Sequence, residues 1–328
     1  MIKLFLLYFL KALGVFWICR KLVKDKTLIL AYHGFETVDE TTFRDKLFMK
    51  KNTFIKRLDY LVKYCNVVPL ENYSLQSNFN NNVIITIDDG WDSTRTIAAP
   101  CLQGRSLPYT VYLTTENVLD NEPIFHIALD YILTKNIGKL LKLELDGKMI
   151  INAIISSENN KKTIDEIIKY KAKGNDTELL LLISDILKYD FNKVIDLKAL
   201  TLMDTQGVRE LKEQGADIQL HTHTHKTPFN DFETYTYEIE ENKKQIENII
   251  HNTPEHHCYP SGEYNEQCFN YLKRLSVKTA TTCKPGFCDE KTNPYELPRF
   301  LDGENISQIT FEAEVSGVLE LFRKLKAM

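Results

Sequence analysis

The chain has 328 residues, of which 43% are apolar, and its formal net charge is −4, with 41 Lys and Arg against 45 Asp and Glu. This size supports one large domain with an insertion, or two modest domains. The near balance of charges gives no argument for a nucleic-acid partner, and we expect none. The seven cysteines include no C-x-x-C pair, so free thiols are predicted rather than a disulfide framework.

Residues 4–19, LFLLYFLKALGVFWIC, form a strongly apolar segment that is followed by four basic residues at positions 20–26. The segment is short for a membrane span and lacks a cleavage pattern, so neither a transmembrane helix nor a secretory signal is predicted. Residues 1–26 are expected to contact a membrane surface peripherally. If they insert, the positive charge favours the cytoplasmic face, with the periplasmic or extracellular side left open. The alternative is a helix packed over the bottom of the main domain.

Strands and helices alternate from residue 27 to residue 122. The predicted strands are 27–34, 67–70, 83–87 and 109–114, and the predicted helices are 54–65 and 92–102, the latter with Asp92 or Ser93 as its N-cap. This alternation is typical of a parallel sheet or barrel, in which functional residues gather where the strands end.

Residues 123–200 interrupt that alternation with helical signals and no clear strand. The segments with helical character are 124–134, a Lys-rich stretch at 161–173, and 178–189. We interpret 123–200 as a helical insertion at the end of the barrel where the strands finish, acting as a lid or a substrate platform. The alternative is that it only pads the barrel, because insertions in surface connections cost little.

Regular structure returns after residue 200, so the main domain is predicted to comprise 27–122 and 201–328. The predicted helices here are 204–214, 231–251 and 266–275, and the predicted strands are 216–220, 255–259, 277–281 and 295–300.

Two carboxylates follow a strand of five β-branched residues, Val83–Ile87. Asp88 and Asp89 sit where that strand must stop, and Gly90 follows them. Taken alone, Asp-Gly is ordinary turn chemistry. The first strand also ends in a histidine, His33, which could reach the same edge or could be purely structural.

The segment His221-Thr222-His223-Thr224-His225 follows the strand 216–220. His221 and His225 share a face if this segment is helical, and all three histidines point one way if it is extended. Either geometry can put two imidazoles on one ion, with His223 as the candidate for the idle member. Two imidazoles and one carboxylate leave coordination positions open, as a catalytic metal requires. One acid of the Asp88-Asp89 pair could then be a ligand and the other a base, but spacing alone does not assign them. A solvent-exposed histidine loop is the alternative.

Four motifs in this order resemble those of the polysaccharide deacetylase family, the NodB-homology domain of carbohydrate esterase family 4. They are ITIDDG at 85–90, HTHTH at 221–225, YPSGEYN at 259–265 and LPR at 297–299. The opening LAYH at 30–33 is similar to the start of bacterial envelope members. Outside the insertion, the resemblance covers about residues 27–301, and it implies an α/β fold, a distorted (β/α)7 barrel of the NodB-homology type.

The resemblance implies a metal-dependent hydrolase that removes N-acetyl groups from amino sugars of a cell-envelope polysaccharide or a lipid-linked glycan precursor. By position, Asp88 would be the general base, and Arg299 would orient it unless it is only a strand-end ion pair. The implied metal ligands are Asp89, His221 and His225. Their donor atoms favour Zn²⁺, with Co²⁺, Ni²⁺ or Mn²⁺ possible.

The same resemblance implies a substrate groove, in which the backbone N–H after the proline donates to the oxyanion of the tetrahedral intermediate. The implied substrate-binding residues are Trp91, Tyr259, Pro260, Ser261 and Gly262.

One departure from the family pattern concerns the general acid. The family usually has a late leucine-histidine motif, yet no histidine follows His257 in this chain. His33 is the first candidate for the missing proton donor, and His126 in the insertion is the second. The departure also leaves open a catalytically silent glycan-binding barrel. The same site could instead serve an O-deacetylase or a deformylase.

Overall fold

The computed structural model describes residues 2–38, 43–74, 81–171 and 176–327. The helices are α1 (Ile2–Ala12), α2 (Val15–Leu22), α3 (Lys51–Tyr64), α4 (Ala99–Gln103), α5 (Glu116–Asp120), α6 (Phe125–Lys135), α7 (Asn160–Tyr170), α8 (Asp176–Ile186), α9 (Asn192–Asp196), α10 (Thr205–Glu213), α11 (Phe232–Ile250), α12 (Gln267–Arg274), α13 (Gln308–Val315) and α14 (Val318–Ala327). The strands are β1 (Thr27–Tyr32), β2 (Gly34–Phe35), β3 (Phe48–Met49), β4 (Asn66–Val67), β5 (Asn82–Ile87), β6 (Thr110–Leu113), β7 (Leu140–Leu145), β8 (Lys148–Ile154), β9 (Asp217–Leu220), β10 (His256–Cys258), β11 (Thr279–Thr281) and β12 (Arg299–Leu301).

Seven parallel strands of the described chain form a nearly closed barrel in the order β11-β10-β9-β6-β5-β1-β12. An isolated parallel bridge between Thr281 and Leu297 joins its two ends. There the N–H of Leu297 donates to the carbonyl of Ala280 at 2.9 Å, and the N–H of Thr282 donates to the carbonyl of Leu297 at 2.9 Å. The predicted distorted (β/α)7 barrel is therefore confirmed.

Every residue of β1 and β5 is buried, because helices cover the outside of the barrel and side chains fill its interior. The outward residues, such as Leu30 and Ile85, join the large core under the helices. Inward residues, such as Ile29 and Ile84, form a smaller interior cluster that includes Cys258 and Cys288. All seven cysteines are free, as predicted.

The predicted helix at 92–102 is present, with Asp92 and Ser93 already helical, but it differs in type. It is a π-helical turn at Thr94–Ala98 followed by α4. Neither proposed residue caps it, because Asp92 accepts from Arg95 at 3.0 Å and the hydroxyl of Ser93 accepts the N–H of Phe35 at 2.9 Å. The prediction of an Asp92 or Ser93 N-cap is therefore wrong.

The segment 123–200 contains α6 to α9, but it also contains an antiparallel hairpin of β7 and β8. The expectation of no strand in this segment is wrong. Leu141 and Leu143 alternate with exposed residues, and the turn residues Asp146 and Gly147 both have positive φ, 50° and 72°. The sequence therefore carried a hairpin signal. Residues 172 and 173 of the predicted Lys-rich helix lie outside the described residues.

Both ends of this segment are attached beside the Asp88-Asp89 pair. Backbone bridges join Pro123 to Thr201 and Trp91 to Leu202. The N–H of Met203 donates to the carbonyl of Gly90 at 2.9 Å. The hydrophobic cluster of the segment also includes Trp91, together with Phe43 and Phe48 from the main domain.

The N-terminal apolar segment forms two helices rather than one, because the chain turns at Gly14 with φ 79°. Leu7, Phe16 and Cys19 pack against α13 and the start of α14. Within the described residues, no helix combines the length and the apolar composition needed to cross a membrane.

A buried ion pair fastens α3 to the loop that follows β12. Arg57 donates from Nε to Asp302 at 2.9 Å, and the two side chains are 1% and 0% exposed. Arg57 also donates to the carbonyl of Ile306, and its guanidinium lies 4.6 Å from the ring centre of Phe311. This one side chain therefore connects the first barrel helix to the last strand, its loop and α13.

We expect Arg57→Ala to lower the free energy of unfolding by about 3–5 kcal/mol, because Asp302 would remain buried without its partner. Urea denaturation measures the change. The control is Arg105→Ala on the protein surface, whose pair with the exposed Asp59 is expected to contribute about 0–1 kcal/mol. Similar losses for both variants would contradict the role given to Arg57.

Candidate active site

The acidic pair begins where β5 ends. The N–H of Asp88 donates to the carbonyl of Tyr32 at 2.8 Å, so Asp88 still follows the sheet. The chain then turns at Asp89 and Gly90, which have φ values of 72° and 92°. The φ of Gly90 favours glycine, and a Cβ there would also displace the side chain of Leu113, whose Cδ1 would lie 2.4 Å away.

Arg299 holds the carboxylate of Asp88 in two parallel hydrogen bonds. Nη1 donates to Oδ1 at 2.7 Å and Nη2 donates to Oδ2 at 2.8 Å, with both residues buried. Arg299 also donates to the Thr282 carbonyl at 3.0 Å and the Thr86 hydroxyl at 3.1 Å. Burial would raise the pKa of Asp88, but the guanidinium outweighs burial and holds that pKa below its usual value. Asp88 is therefore an ionised carboxylate with a fixed orientation.

Cys258 is a neighbour of this pair that the sequence did not reveal. Nη2 of Arg299 lies 3.0 Å from its sulfur, and the sulfur lies 3.7 Å from Oδ2 of Asp88. Burial raises the pKa of the thiol well above its usual value, so it remains protonated. The one feature of the sequence that could indicate a place for Cys258 near the site is its position directly before Tyr259.

Asp89, His221 and His225, the ligands that the family resemblance implies, lie close together. Oδ1 of Asp89 lies 3.3 Å from Nε2 of each histidine, and the three atoms lie within 4.8 Å of one another. This buried oxygen has no hydrogen-bond partner among the described atoms. Two atoms that each lie about 2.0–2.1 Å from a tetrahedral zinc ion are about 3.3 Å apart, so the arrangement fits one shared ion. Burial raises the pKa of Asp89, but the two imidazoles hold it well below its usual value.

Neighbouring groups fix His221 in this orientation. Its Nδ1 lies 2.8 Å from the Cys258 carbonyl, which can only accept, so Nε2 is left free to bind an ion. The side chain of Asn242 accepts the backbone N–H of His221 at 2.9 Å and donates to the Leu113 carbonyl at 2.9 Å. His221 is buried while His225 is 42% exposed, so the site is open on the His225 side.

A second set, Asp88, His221 and Cys258, also has its potential ligand atoms within 4.8 Å of one another. It fits an ion less well, because Arg299 already occupies both oxygens of Asp88 and the Cys258 thiol stays protonated. We therefore favour the Asp89, His221 and His225 set.

Trp91 lies behind Asp89 rather than in an open groove. Its side chain is 3% exposed, and its indole N–H donates to Oδ2 of Asp89 at 2.9 Å. This bond leaves Oδ1 facing the two imidazoles. The ring packs edge-on against Phe48 with 5.1 Å between ring centres. A direct contact between Trp91 and substrate remains a prediction.

The other histidines differ in their distance from the site. Nε2 of His33 lies 3.8 Å from Oδ2 of Asp88, and its buried Nδ1 has no hydrogen-bond partner among the described atoms. His126 lies at the start of α6, where partial desolvation, Arg44 and His225 lower its pKa. His223 turns away and pairs with the Thr115 hydroxyl at 3.0 Å, outside both candidate ligand sets.

The predicted groove segment is partly buried. Tyr259 and Pro260 are buried, with the Tyr259 ring stacked on Tyr264 at 4.6 Å, whereas Ser261 is exposed. The N–H of Ser261 belongs to the 3-10 turn Pro260–Gly262, whose first N–H groups have no acceptor inside the turn. Ser261 has φ 56°, so this turn is strained.

A family model described as polysaccharide deacetylase matches residues 77–280. The match spans more than half of the chain and includes β5, the acidic pair, the insertion, the histidine segment and the Tyr259 motif. The chain therefore belongs to the polysaccharide deacetylase family, a class of hydrolases. Among curated protein sequences, no match was found.

Solved structures of deacetylases share the fold. Deacetylase PplD of Streptococcus pyogenes, determined with acetate, is similar with a TM-score of 0.57 and 15% identity over 88% of this chain and 98% of that chain. The de-N-acetylase of Aggregatibacter actinomycetemcomitans is similar with a TM-score of 0.53 and 13% identity, over 88% of this chain and 100% of that chain. IcaB of Ammonifex degensii is similar with a TM-score of 0.52 and 12% identity, over 89% of this chain and 97% of that chain. At these identities the likeness concerns the fold.

We expect Trp91→Phe to weaken Zn²⁺ binding about 10–100-fold, because the phenyl ring keeps most of the packing but loses the N–H that orients Asp89. Titration calorimetry of metal-free protein measures the affinity. Trp17→Phe, at an exposed tryptophan far from the acidic pair in sequence, is the matched control. Unchanged affinity in Trp91→Phe would show that the indole does not position Asp89.

Proposed function

We propose that this chain is a metal-dependent de-N-acetylase acting on amino sugars of a cell-envelope polysaccharide or a lipid-linked glycan precursor. The observation that carries the proposal is the division of the acidic pair. Arg299 binds both oxygens of Asp88, while Asp89 presents an unpartnered oxygen to His221 and His225. One acid is thus prepared as a base and the other as a ligand.

The donor atoms of Asp89, His221 and His225 support Zn²⁺ as the ion, with Co²⁺, Ni²⁺ or Mn²⁺ as alternatives. When bound, such an ion supplies Lewis-acid polarisation at the acetamide carbonyl. The open side at His225 leaves room for the acetamide to approach. The N–H of Ser261 is proposed as a donor to the developing oxyanion, since its turn leaves that group available.

Asp88 is proposed to accept the proton of the attacking water. Arg299 keeps it ionised and aimed, at the cost of some basicity, because the same charge lowers its pKa. His33 is proposed as the donor to the leaving amine. Its ring lies beside Asp88 and its buried Nδ1 lacks a partner among the described atoms. His126 remains the second candidate.

A membrane surface is part of the proposed setting. Residues 1–26 are proposed to contact it peripherally, since they are apolar and basic and expose much of that apolar surface. Such contact would hold the enzyme near an envelope glycan or its lipid-linked precursor. The cytoplasmic face is the side that the charge bias favours for an inserted segment, and it stays a prediction.

We expect wild-type protein to release acetate from N-acetylated chitooligosaccharides, and a chelator to abolish this. Asp88→Asn should retain Zn²⁺ affinity but lose about 10²–10⁴-fold in kcat, because the base is gone while the ligands remain. Asp89→Asn, its matched neighbour, should lose Zn²⁺ affinity as well. An acetate assay with calorimetry separates these effects.

Near wild-type turnover by Asp88→Asn would remove the role proposed for this residue. A wild-type protein that binds the oligosaccharide but releases no acetate would indicate the silent barrel. Faster release from O-acetylated or N-formylated sugars would indicate the alternative hydrolase activities.

We expect His33→Gln to slow acetamide hydrolysis about 10²–10⁴-fold but 4-nitrophenyl acetate hydrolysis much less. An amine must be protonated to leave, whereas nitrophenolate leaves unaided. The ratio of the two rates is therefore the measurement. His126→Gln is the control, and an amide-selective loss in that variant alone would transfer the donor role to His126.

A further inference from the structure

The two N-terminal helices and their connection expose nine large apolar side chains. Phe5 is 77% exposed, Trp17 is 62% exposed and Leu22 is 68% exposed. The remaining large apolar residues exposed on α1, α2 and their connection are Leu4, Leu6, Tyr8, Phe9, Leu13 and Ile18. A helix that only covers the barrel would bury such residues, so another surface is needed to cover them.

The opposite side of these helices is already fixed to the domain. Leu7, Phe16 and Cys19 form a buried cluster with residues of α13 and the start of α14. Lys11 pairs with Glu312, and Arg20 donates to the hydroxyl of Tyr60 at 3.1 Å. The exposed apolar residues therefore belong to a firmly packed helix pair and not to a loose tail.

The same helices concentrate positive charge. Residues 1–26 carry six Lys and Arg and one Asp, whereas the whole chain has a net charge of −4. The side chains of Lys21 and Lys24 are exposed. Helix α14, which contacts α2, adds an exposed Lys326 and the exposed apolar residues Leu321 and Leu325. We call the exposed residues of α1, α2 and α14 the N-terminal face.

We infer that the N-terminal face docks on an anionic lipid surface, with the two helices lying in the plane of the interface. Apolar and aromatic residues enter the headgroup region while lysines contact lipid phosphates. Trp and Tyr are enriched at the headgroup level of membranes, and Trp17 and Tyr8 belong to these residue types. A second copy of the chain fits less well, because a symmetric contact would bring two basic faces together.

This inference deepens the membrane contact proposed above and is independent of the deacetylation chemistry. The residues of the acidic pair, the histidine segment and Arg299 all lie outside α1, α2 and α14. Docking and hydrolysis can therefore be measured separately on the same protein.

The test is co-sedimentation of the full chain with vesicles of phosphatidylcholine alone or mixed with phosphatidylglycerol. Wild type should bind the anionic vesicles and bind neutral ones weakly. Phe5→Ser/Trp17→Ser should bind at least tenfold more weakly, by loss of buried apolar area. The affinity of Lys21→Glu/Lys24→Glu for anionic vesicles should fall roughly fivefold or more per substituted residue, and its weak binding to neutral vesicles should not change.

Matched controls alter similar residues elsewhere on the surface. Ile137→Ser/Ile154→Ser removes two exposed apolar residues from the insertion, and Lys161→Glu/Lys169→Glu reverses two exposed charges on α7. Both controls should bind vesicles like wild type. In a Trp91→Phe background, Trp17 is the one remaining tryptophan, so its emission should shift to the blue on binding.

Failure of wild type to bind anionic vesicles, or equal losses in the controls, would overturn the inference. A second outcome would also overturn it: light scattering shows that wild type is a dimer, Phe5→Ser/Trp17→Ser dissociates that dimer, and wild type does not bind vesicles. A second copy of the chain would then cover the N-terminal face. Acetate release from soluble oligosaccharide should be unchanged in Phe5→Ser/Trp17→Ser. Vesicle binding without any acetate release by wild type would refute the proposed function and leave the docking intact.

Discussion

The buried pair of Arg299 and Asp88 is the contact on which the site depends. Arg299 begins β12 and Asp88 follows β5, and β1 lies between those two strands, so the pair spans the interior of the barrel. Two charges removed from water need each other, and a lone partner would be strongly unfavourable. The pair therefore fixes the orientation of Asp88 and ties it to the strand that nearly closes the barrel.

The other constraint is the shape of the chain where the strands end. Asp89, Thr222, His225 and Ser261 all have positive φ, which residues other than glycine rarely adopt. Such conformations persist when the surroundings impose them, and at Asp89 the indole N–H of Trp91 holds the side chain in place. These turns lie where strands β5, β9 and β10 end, so they set the direction of the chain as it leaves the barrel.

The strand ends could be predicted because β-branched runs and the residues after them are local signals. The proximity of Asp89, His221 and His225 is implied by the family resemblance, because the three residues fall in its motifs, and their role as ligands stays a prediction. The contact of Cys258 with Arg299 and Asp88 could not be predicted from the sequence, because it depends on which strands face each other across the barrel. The hairpin of β7 and β8 is a different case, because its alternation and its Asp146-Gly147 turn are local signals, although helical segments flank it on both sides.

The attachment of residues 123–200 bears on what this segment does, and it favours a platform over a lid. Its two ends are bridged to each other and to residues 90–92, directly after Asp89. Trp91 belongs to the hydrophobic cluster of the segment and also donates to Asp89. A rigid swing of the whole segment would break these backbone bonds and disturb Asp89. Any movement on substrate binding is therefore expected to be local to the segment, while its two ends stay attached to the barrel.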